Sequence, residues 1–350
     1  MNERTLFMFS GQGSQRYGMG HELYRNNQRF RAILDAGEDI VREVLPGQSL
    51  LSEMLDHNRR LEPFDSTLLS TPALYVFQYA AATAAINEDS KSPANFEGQR
   101  TARPNALLGY SLGEFVAAAV AEVYEFEIGL RFLLRYARLI QETCPPAGML
   151  AILDDSALVT QHAELFRAVT VAGRNYPGSF VVTGRVQDLK ELATFLDRID
   201  VITQALPVSR GYHSALIDPA EASVKTELAA IRFREPLIPV YSCQLGRAIT
   251  PGEYNADFFW NVVRRPIEFQ KALAAFTTES ARSPGDSTTA YYDLGPSGVM
   301  ANFVKYSLRD PSRAKFSGAF NPFMSEMQSW ESFLASRRAQ FVDGGTPASN

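Results

Sequence analysis

"ALLGYSLGEFVAAAVAEV", residues 106–123, decides how this chain is read. A short apolar run ends at Gly109, a serine stands between two glycines at Ser111, and an apolar segment of helical length begins at Gly113. Gly-x-Ser-x-Gly between a strand and a helix is the pattern of a nucleophile elbow. The glycines permit a turn tight enough to expose the serine hydroxyl, and the N–H groups opening the helix can hold an oxyanion. The neighbour of that serine is Tyr110.

The rest of the chain repeats the alternation around the elbow. Short apolar runs (TLFMFS at 5–10, IPVYSC at 238–243, AYYDLG at 290–295) look like buried strands. Longer segments (residues 71–86, 113–123 and 268–276) have helical spacing. Strands alternating with helices predict a parallel sheet with both faces covered. Between residues 142 and 207 the rhythm changes to β-α-β-β-α, with ITQALPVS able to add a last strand. That predicts an inserted antiparallel sheet with two helices, near the split βαβ pattern. The expected division is 1–141 with 208–320 as the large α/β subdomain, 142–207 as the insert, and 321–350 as a C-terminal helix and tail. In that last segment Met324, Met327, Trp330, Phe333 and Leu334 fall at helical spacing and predict a docked face. The polar stretches 87–104 and 278–289 read as surface loops, and DGGTPASN at the end as a disordered tail.

Composition narrows the function. The 350 residues are 45% hydrophobic, enough for a large core, and the net charge is −5 with Lys and Arg scattered. That argues against a nucleic-acid partner, which needs clustered cations. No apolar run reaches the length of a membrane span or an export signal, so a cytoplasmic protein is expected. Two cysteines, Cys144 and Cys243, make neither a disulfide framework nor a four-ligand metal site and read as packing residues.

A serine nucleophile needs a base, and the chain has four histidines. His21, His57 and His162 lie in polar, helix-like segments. His213 follows a strand-like run and a glycine bend in ALPVSRGYHSAL, the kind of strand end where α/β sites collect. The Gly-Gln-Gly loop of FSGQGSQRYGMG supplies a second set of amides after the first strand. Its glycine spacing is not that of a dinucleotide site, and no Lys-Ser/Thr pair follows it.

Taken in order, FSGQGSQ, GYSLGE, NYPGSFVVTG, LPVSRGYHS and DLGPSG resemble the malonyl-CoA:acyl-carrier-protein transacylase family, which includes the acyltransferases of polyketide synthases. The resemblance spans about residues 5–310. It implies an α/β-hydrolase-like subdomain with a ferredoxin-like insert, Ser111 as the acyl nucleophile and His213 as its base. By the same resemblance, Gln12 and Leu112 supply the oxyanion amides, a main-chain or amide oxygen near RRPIEF, around Glu268, orients the imidazole in place of a carboxylate, and Asn175 lies near the cleft. Tyr212 stands where the family tunes acyl selectivity. Arg210 is a candidate contact for the acyl chain or the carrier's phosphopantetheine, or else a surface cap.

Three positions depart from the family pattern. Tyr110 replaces the histidine of the elbow, and Thr71 in TPAL replaces a glutamine. Tyr136 stands where malonyl-type members carry the arginine that clamps the substrate carboxylate. Arg135 is adjacent, but one helical residue turns a side chain by about 100°. A malonyl carboxylate enclosed without a guanidinium would be an unpaired buried charge, so the pocket should favour uncharged acyl groups. The chain is similar to trans-acting editing hydrolases of the family that lack the arginine. The expected activity is therefore hydrolysis of monocarboxylic acyl-carrier thioesters by a free-standing, monomeric enzyme through acyl-Ser111. The alternatives are loading of malonyl or an unusual uncharged acyl group, with Arg135 or Arg138 as clamp, and a silent synthase-docking protein. No bound cofactor is expected. The substrate would ride on the phosphopantetheine of an acyl carrier protein of a polyketide synthase, or on CoA.

Overall fold

The apolar runs pair into two sheets in the computed structural model, which describes residues 4–89, 103–281, 288–311 and 314–342. The larger sheet contains β1 (Arg4–Phe9), β2 (Ala106–Gly109), β7 (Val240–Ser242), β8 (Arg247–Ala248), β9 (Thr289–Asp293) and β10 (Ala314–Gly318) in the order β10-β9-β1-β2-β7-β8. All pairings are parallel except β7 with β8. The central strands are apolar on both faces because helices cover both. Phe7, Phe9 and Leu107 belong to one core, while Leu6, Met8, Ala106 and Leu108 belong to the other.

The smaller sheet contains β3 (Gly148–Ile152), β4 (Val169–Tyr176), β5 (Ser179–Gly184) and β6 (Thr203–Ala205) in the order β4-β5-β3-β6, wholly antiparallel. This is the ferredoxin-like arrangement, with its own core around Leu150, Phe180 and Leu196. Its first crossover, expected as one helix, is two single turns, Leu158–Gln161 and Ala163–Phe166, broken at His162. The smaller sheet meets the larger unit where Gly173 of β4 bridges Ile267, in the link between the helices Ala256–Arg264 and Phe269–Ala281, and a Cβ on Gly173 would lie 2.8 Å from the Cβ of Ile267.

Two helices run past their expected ends, Thr67–Asp89 into the polar stretch at 87 and Phe269–Ala281 into the one at 278. The remainder of those stretches at 90–102 and 282–287, and the tail at 343–350, lie outside the described residues. The last helix, Glu326–Val342, buries Trp330, Phe333 and Leu334, but Met324 precedes it and is exposed, so the stripe begins later than its spacing suggested. Among the described residues no helix is long and apolar enough to cross a membrane.

Candidate active site

The elbow forms because two glycines permit contacts that no other residue could make. A Cβ on Gly113 would lie 1.9 Å from the carbonyl oxygen of Phe9, and one on Gly109 would lie 2.3 Å from the Cα of Glu114. The turn therefore presses flat against β1, and Tyr110 N–H donates to Phe9 O at 2.9 Å. Ser111 sits at φ 54°, ψ −121°, a backbone region that a residue with a Cβ occupies only when its surroundings enforce it. The helix Leu112–Val120 starts at once behind it.

Ser111 Oγ lies 2.8 Å from His213 Nε2. His213, also at positive φ (60°), is buried, and its own N–H donates to Val263 O. Its Nδ1 lies 2.8 Å from the carbonyl of Arg265. A carbonyl only accepts, so Nδ1 carries the proton and Nε2 presents a lone pair to the serine hydroxyl. Burial holds the imidazole pKa down to about 4, with the Arg265 bond opposing the shift, so the ring is neutral at physiological pH, its Nε2 lone pair free of a proton. The oxygen that meets the imidazole is a main-chain carbonyl within RRPIEF, at Arg265, and Glu268 itself is engaged elsewhere. Its carboxylate pairs with Lys271, while its backbone N–H donates to Cys243 O.

The Gly-Gln-Gly loop packs against the elbow, where a Cβ on Gly11 would lie 2.9 Å from the Cβ of Ser111. Gln78, buried in the middle of the helix Thr67–Asp89, holds the loop: its Oε1 accepts from Ser10 N–H at 2.6 Å and its Nε2 donates to Ser10 O. Gln15 ties the loop's far side to Phe64 O and Pro207 O. Neither Gln12 N–H nor Leu112 N–H has an acceptor among the described residues, leaving two amides beside Ser111. Glu114, buried one turn into the elbow helix, accepts from Ser242 Oγ and Gln244 N–H and fixes the turn after β7. Burial raises its pKa to about 8.

The remaining expected residues divide. Tyr110 reaches across the cleft to donate to Asn175 Oδ1 at 2.8 Å, and Asn175 Nδ2 donates to Ser179 Oγ, so both line the seam between the sheets. Thr71 is buried and accepts from Gln12 Nε2 at 2.7 Å. Tyr136 and Tyr212 are both buried, and among the described residues the Tyr136 hydroxyl has no hydrogen-bond partner. Burial pushes the Tyr212 pKa up to about 12.

Arg135 does not enter the pocket. It faces outward, 42% exposed, and pairs with Glu227, because Tyr136 takes the inward direction on the helix Phe126–Thr143. Arg138 points out as well, donating to Val44 O. Arg210 is a cap and not a substrate contact, since its guanidinium donates to the terminal carbonyls of Ile140 and Gln141 on that helix. His21 and His57 stack loosely on the surface, with His21 Nδ1 on Leu55 O. Gln78 and Glu114 were missed, and Arg265 was anticipated only as a main-chain or amide oxygen somewhere around Glu268. Glu114 shows in sequence as the one charged residue of the apolar run LGEFVAAAV, and Gln78 as a polar residue between the apolar runs ALYVF and AAATAAI. Arg265 acts through its backbone, which leaves no side-chain signature.

Comparison with known proteins bears on this geometry. The acyl transferase domain family model matches residues 6–314. The chain is 40% identical over 328 residues to the polyketide biosynthesis acyltransferase homolog BaeD of Bacillus velezensis, covering 93% of this chain and 94% of that one. It is 36% identical over 330 residues to the homolog PksD of Bacillus subtilis, covering 94% and 95%. Among solved structures, a loading acyltransferase from the avermectin polyketide synthase superposes with TM-score 0.81 at 22% identity, covering 95% of this chain and 99% of that one. A malonyl CoA-acyl carrier protein transacylase from Clostridium perfringens gives TM-score 0.76 at 20% identity, covering 97% and 99%. At those identities the structural likeness speaks to the fold.

Proposed function

The chain belongs to the acyl transferase domain family, and from that premise we propose that it hydrolyses uncharged acyl thioesters held on a carrier protein. Ser111 Oγ attacks the thioester carbonyl as His213 Nε2 takes its proton, and the oxyanion rests on the Gln12 and Leu112 amides. The C–S bond breaks, the thiol leaves with the proton from Nε2, and an acyl-Ser111 ester remains. Water then attacks that ester, His213 takes the water's proton and returns it to Ser111, and the free carboxylic acid departs. The similar Bacillus proteins are named for polyketide biosynthesis, which supports a polyketide synthase carrier as the partner.

The observation that carries the reading is the direction of three side chains. Tyr136 is buried in the core, while Arg135 and Arg138 point out to Glu227 and to the Val44 carbonyl, so neither arginine turns a guanidinium inward to meet a malonyl carboxylate. Release of free acid from acetyl-loaded carrier protein, measured without any acceptor thiol, tests the proposal. Wild type should return the carrier to its thiol form, and Ser111→Ala should leave it acylated. Acetyl-carrier that survives wild-type protein unchanged would overturn it.

A further inference from the structure

Hydrogen bonds around Ser111 and His213 close into a ring. Glu114, buried in the elbow helix, donates its N–H to Ser111 O at 2.8 Å. Its carboxyl oxygens meet Ser242 Oγ at 2.6 Å and Gln244 N–H at 2.8 Å. That N–H is one end of the peptide group whose other end is the Cys243 carbonyl, which accepts from Glu268 N–H at 2.7 Å. A peptide group is planar, so holding its N–H also aims its C=O. Pairing of β7 with β2 stops at Ser242, opposite Gly109, and does not reach this peptide. Between Glu268 and Arg265 the chain has little freedom. Ile267 donates to Ala172 O at 2.8 Å and accepts from Arg174 N–H at 3.2 Å, and Arg265 stands before Pro266 in an extended conformation (φ −89°, ψ 155°). The Arg265 carbonyl meets His213 Nδ1, and Nε2 returns to Ser111 Oγ, both at 2.8 Å. Apart from the serine and histidine themselves, the side chain that carries this ring is Glu114; the other joints are main chain to main chain.

We infer that Glu114 is a positioning residue for the base: its carboxyl group sets the 243–244 peptide and, through Glu268, the Arg265 carbonyl that holds His213 in the tautomer Ser111 needs. The inference rests on the reading of Ser111 and His213 as nucleophile and base. A carboxyl on the elbow helix thus serves the imidazole without touching it. The neutral ring works only with its proton on Nδ1, because the other tautomer would put an N–H where the serine needs a lone pair. Without Glu114, Gln244 N–H keeps only Ser242 Oγ, its longer acceptor at 3.1 Å. The peptide then turns towards Ser242, Cys243 O draws away from Glu268 N–H, and the segment carrying the Arg265 carbonyl loosens. Leucine at 114 would fill the space without offering an acceptor, whereas glutamine keeps an oxygen for Gln244 N–H.

The test needs no thioester. Phosphonylation of Ser111 by an uncharged fluorophosphonate is timed by intact mass, and the His213 tautomer is read by 15N NMR of histidine-labelled protein, its signal assigned by loss in His213→Ala. Wild type should show the single Nδ1–H tautomer. Glu114→Leu should phosphonylate roughly 10- to 100-fold more slowly, the effect of a small misplacement at a reacting centre, and its His213 signal should move towards a mixture of tautomers. Glu114→Gln should restore both. Ser242→Ala, the milder variant should Glu114→Leu not fold, removes the hydroxyl on the carboxyl's second oxygen and should move both readouts the same way by less. Glu38→Leu removes another buried carboxylate, one that accepts from Leu51 N–H outside the ring, and should lower the Tm while leaving rate and tautomer alone. A slower rate with an unmoved tautomer, the same changes in Glu38→Leu, or wild-type behaviour in both Glu114→Leu and Ser242→Ala would overturn the proposal. If these readouts behave as stated but acetyl-carrier is never hydrolysed, the hydrolytic reading falls and the role of Glu114 stands.

Discussion

Ser111 and His213 are each held at positive φ, and each is held by backbone rather than by a charged partner. The site has no carboxylate behind the imidazole; Arg265 contributes only a carbonyl. Such a dipole fixes the tautomer but stabilises imidazolium less than a full negative charge would, so burial dominates and the His213 pKa falls to about 4. Acylation needs the neutral ring. Its rate should therefore stay level as pH falls from 8 to 5 and drop only near 4, measured as kcat/KM on acetyl-carrier. A limb at the ordinary histidine value of 6.5 would contradict the assignment. The same shift lowers stability as pH falls from 6.5 towards 4, because the unfolded chain takes up a proton the folded site refuses. At this scale the sequence showed what side-chain chemistry can show. A lone serine between glycines and a histidine after a glycine bend stood out, and the structure sets them 2.8 Å apart. Arg210, open in the sequence to a ligand contact or a surface cap, is seen to cap a helix once its carbonyl partners are known.

The elements are anchored by buried acids at their joints. Asp293 at the end of β9 accepts from Gly295, Met300 and Ala301 N–H groups and so seats the helix Val299–Ser307 on the sheet edge. That is the physical content of DLGPSG: a carboxylate turned back onto a helix N-terminus. Asp293→Ala would leave three amides without an acceptor and should lower stability by about 3 kcal/mol, read from the urea midpoint at constant m. An unchanged midpoint would mean that another group takes the amides. Helix and strand identity was readable from period and glycine placement. Element ends were not, since the stretches at 87 and 278 are polar enough for loops yet continue helices whose buried faces pack on neighbours. The His162 break is likewise invisible to periodicity, which carries across it.

Across the whole molecule, the site is a seam between two sheets. The elbow, the Gly-Gln-Gly loop and His213 come from the larger unit, and Asn175 comes from the smaller one, joined through the Tyr110 hydroxyl. Tyr110 also packs against Phe269 and Phe303, and Phe303 continues to Tyr176 on β4, so an aromatic array closes one side of the cleft. Tyr110→Phe keeps that packing and loses one part-buried hydrogen bond. It should cost about 1 kcal/mol of stability, seen as a lower Tm, and a larger loss would mean that the bond holds the units together. The insertion itself was legible because a β-α-β-β-α rhythm interrupts a parallel pattern. Which side chains meet across the seam was not legible, because 65 residues separate Tyr110 from Asn175. The central claim is that the inward Tyr136 makes this a site for uncharged acyl groups, released to water. Its most direct test follows acetyl-loaded and malonyl-loaded carrier protein side by side with the enzyme by intact mass. Acetyl-carrier should return to free thiol while malonyl-carrier persists. Malonyl accumulating on Ser111 and passing to fresh carrier would contradict the account.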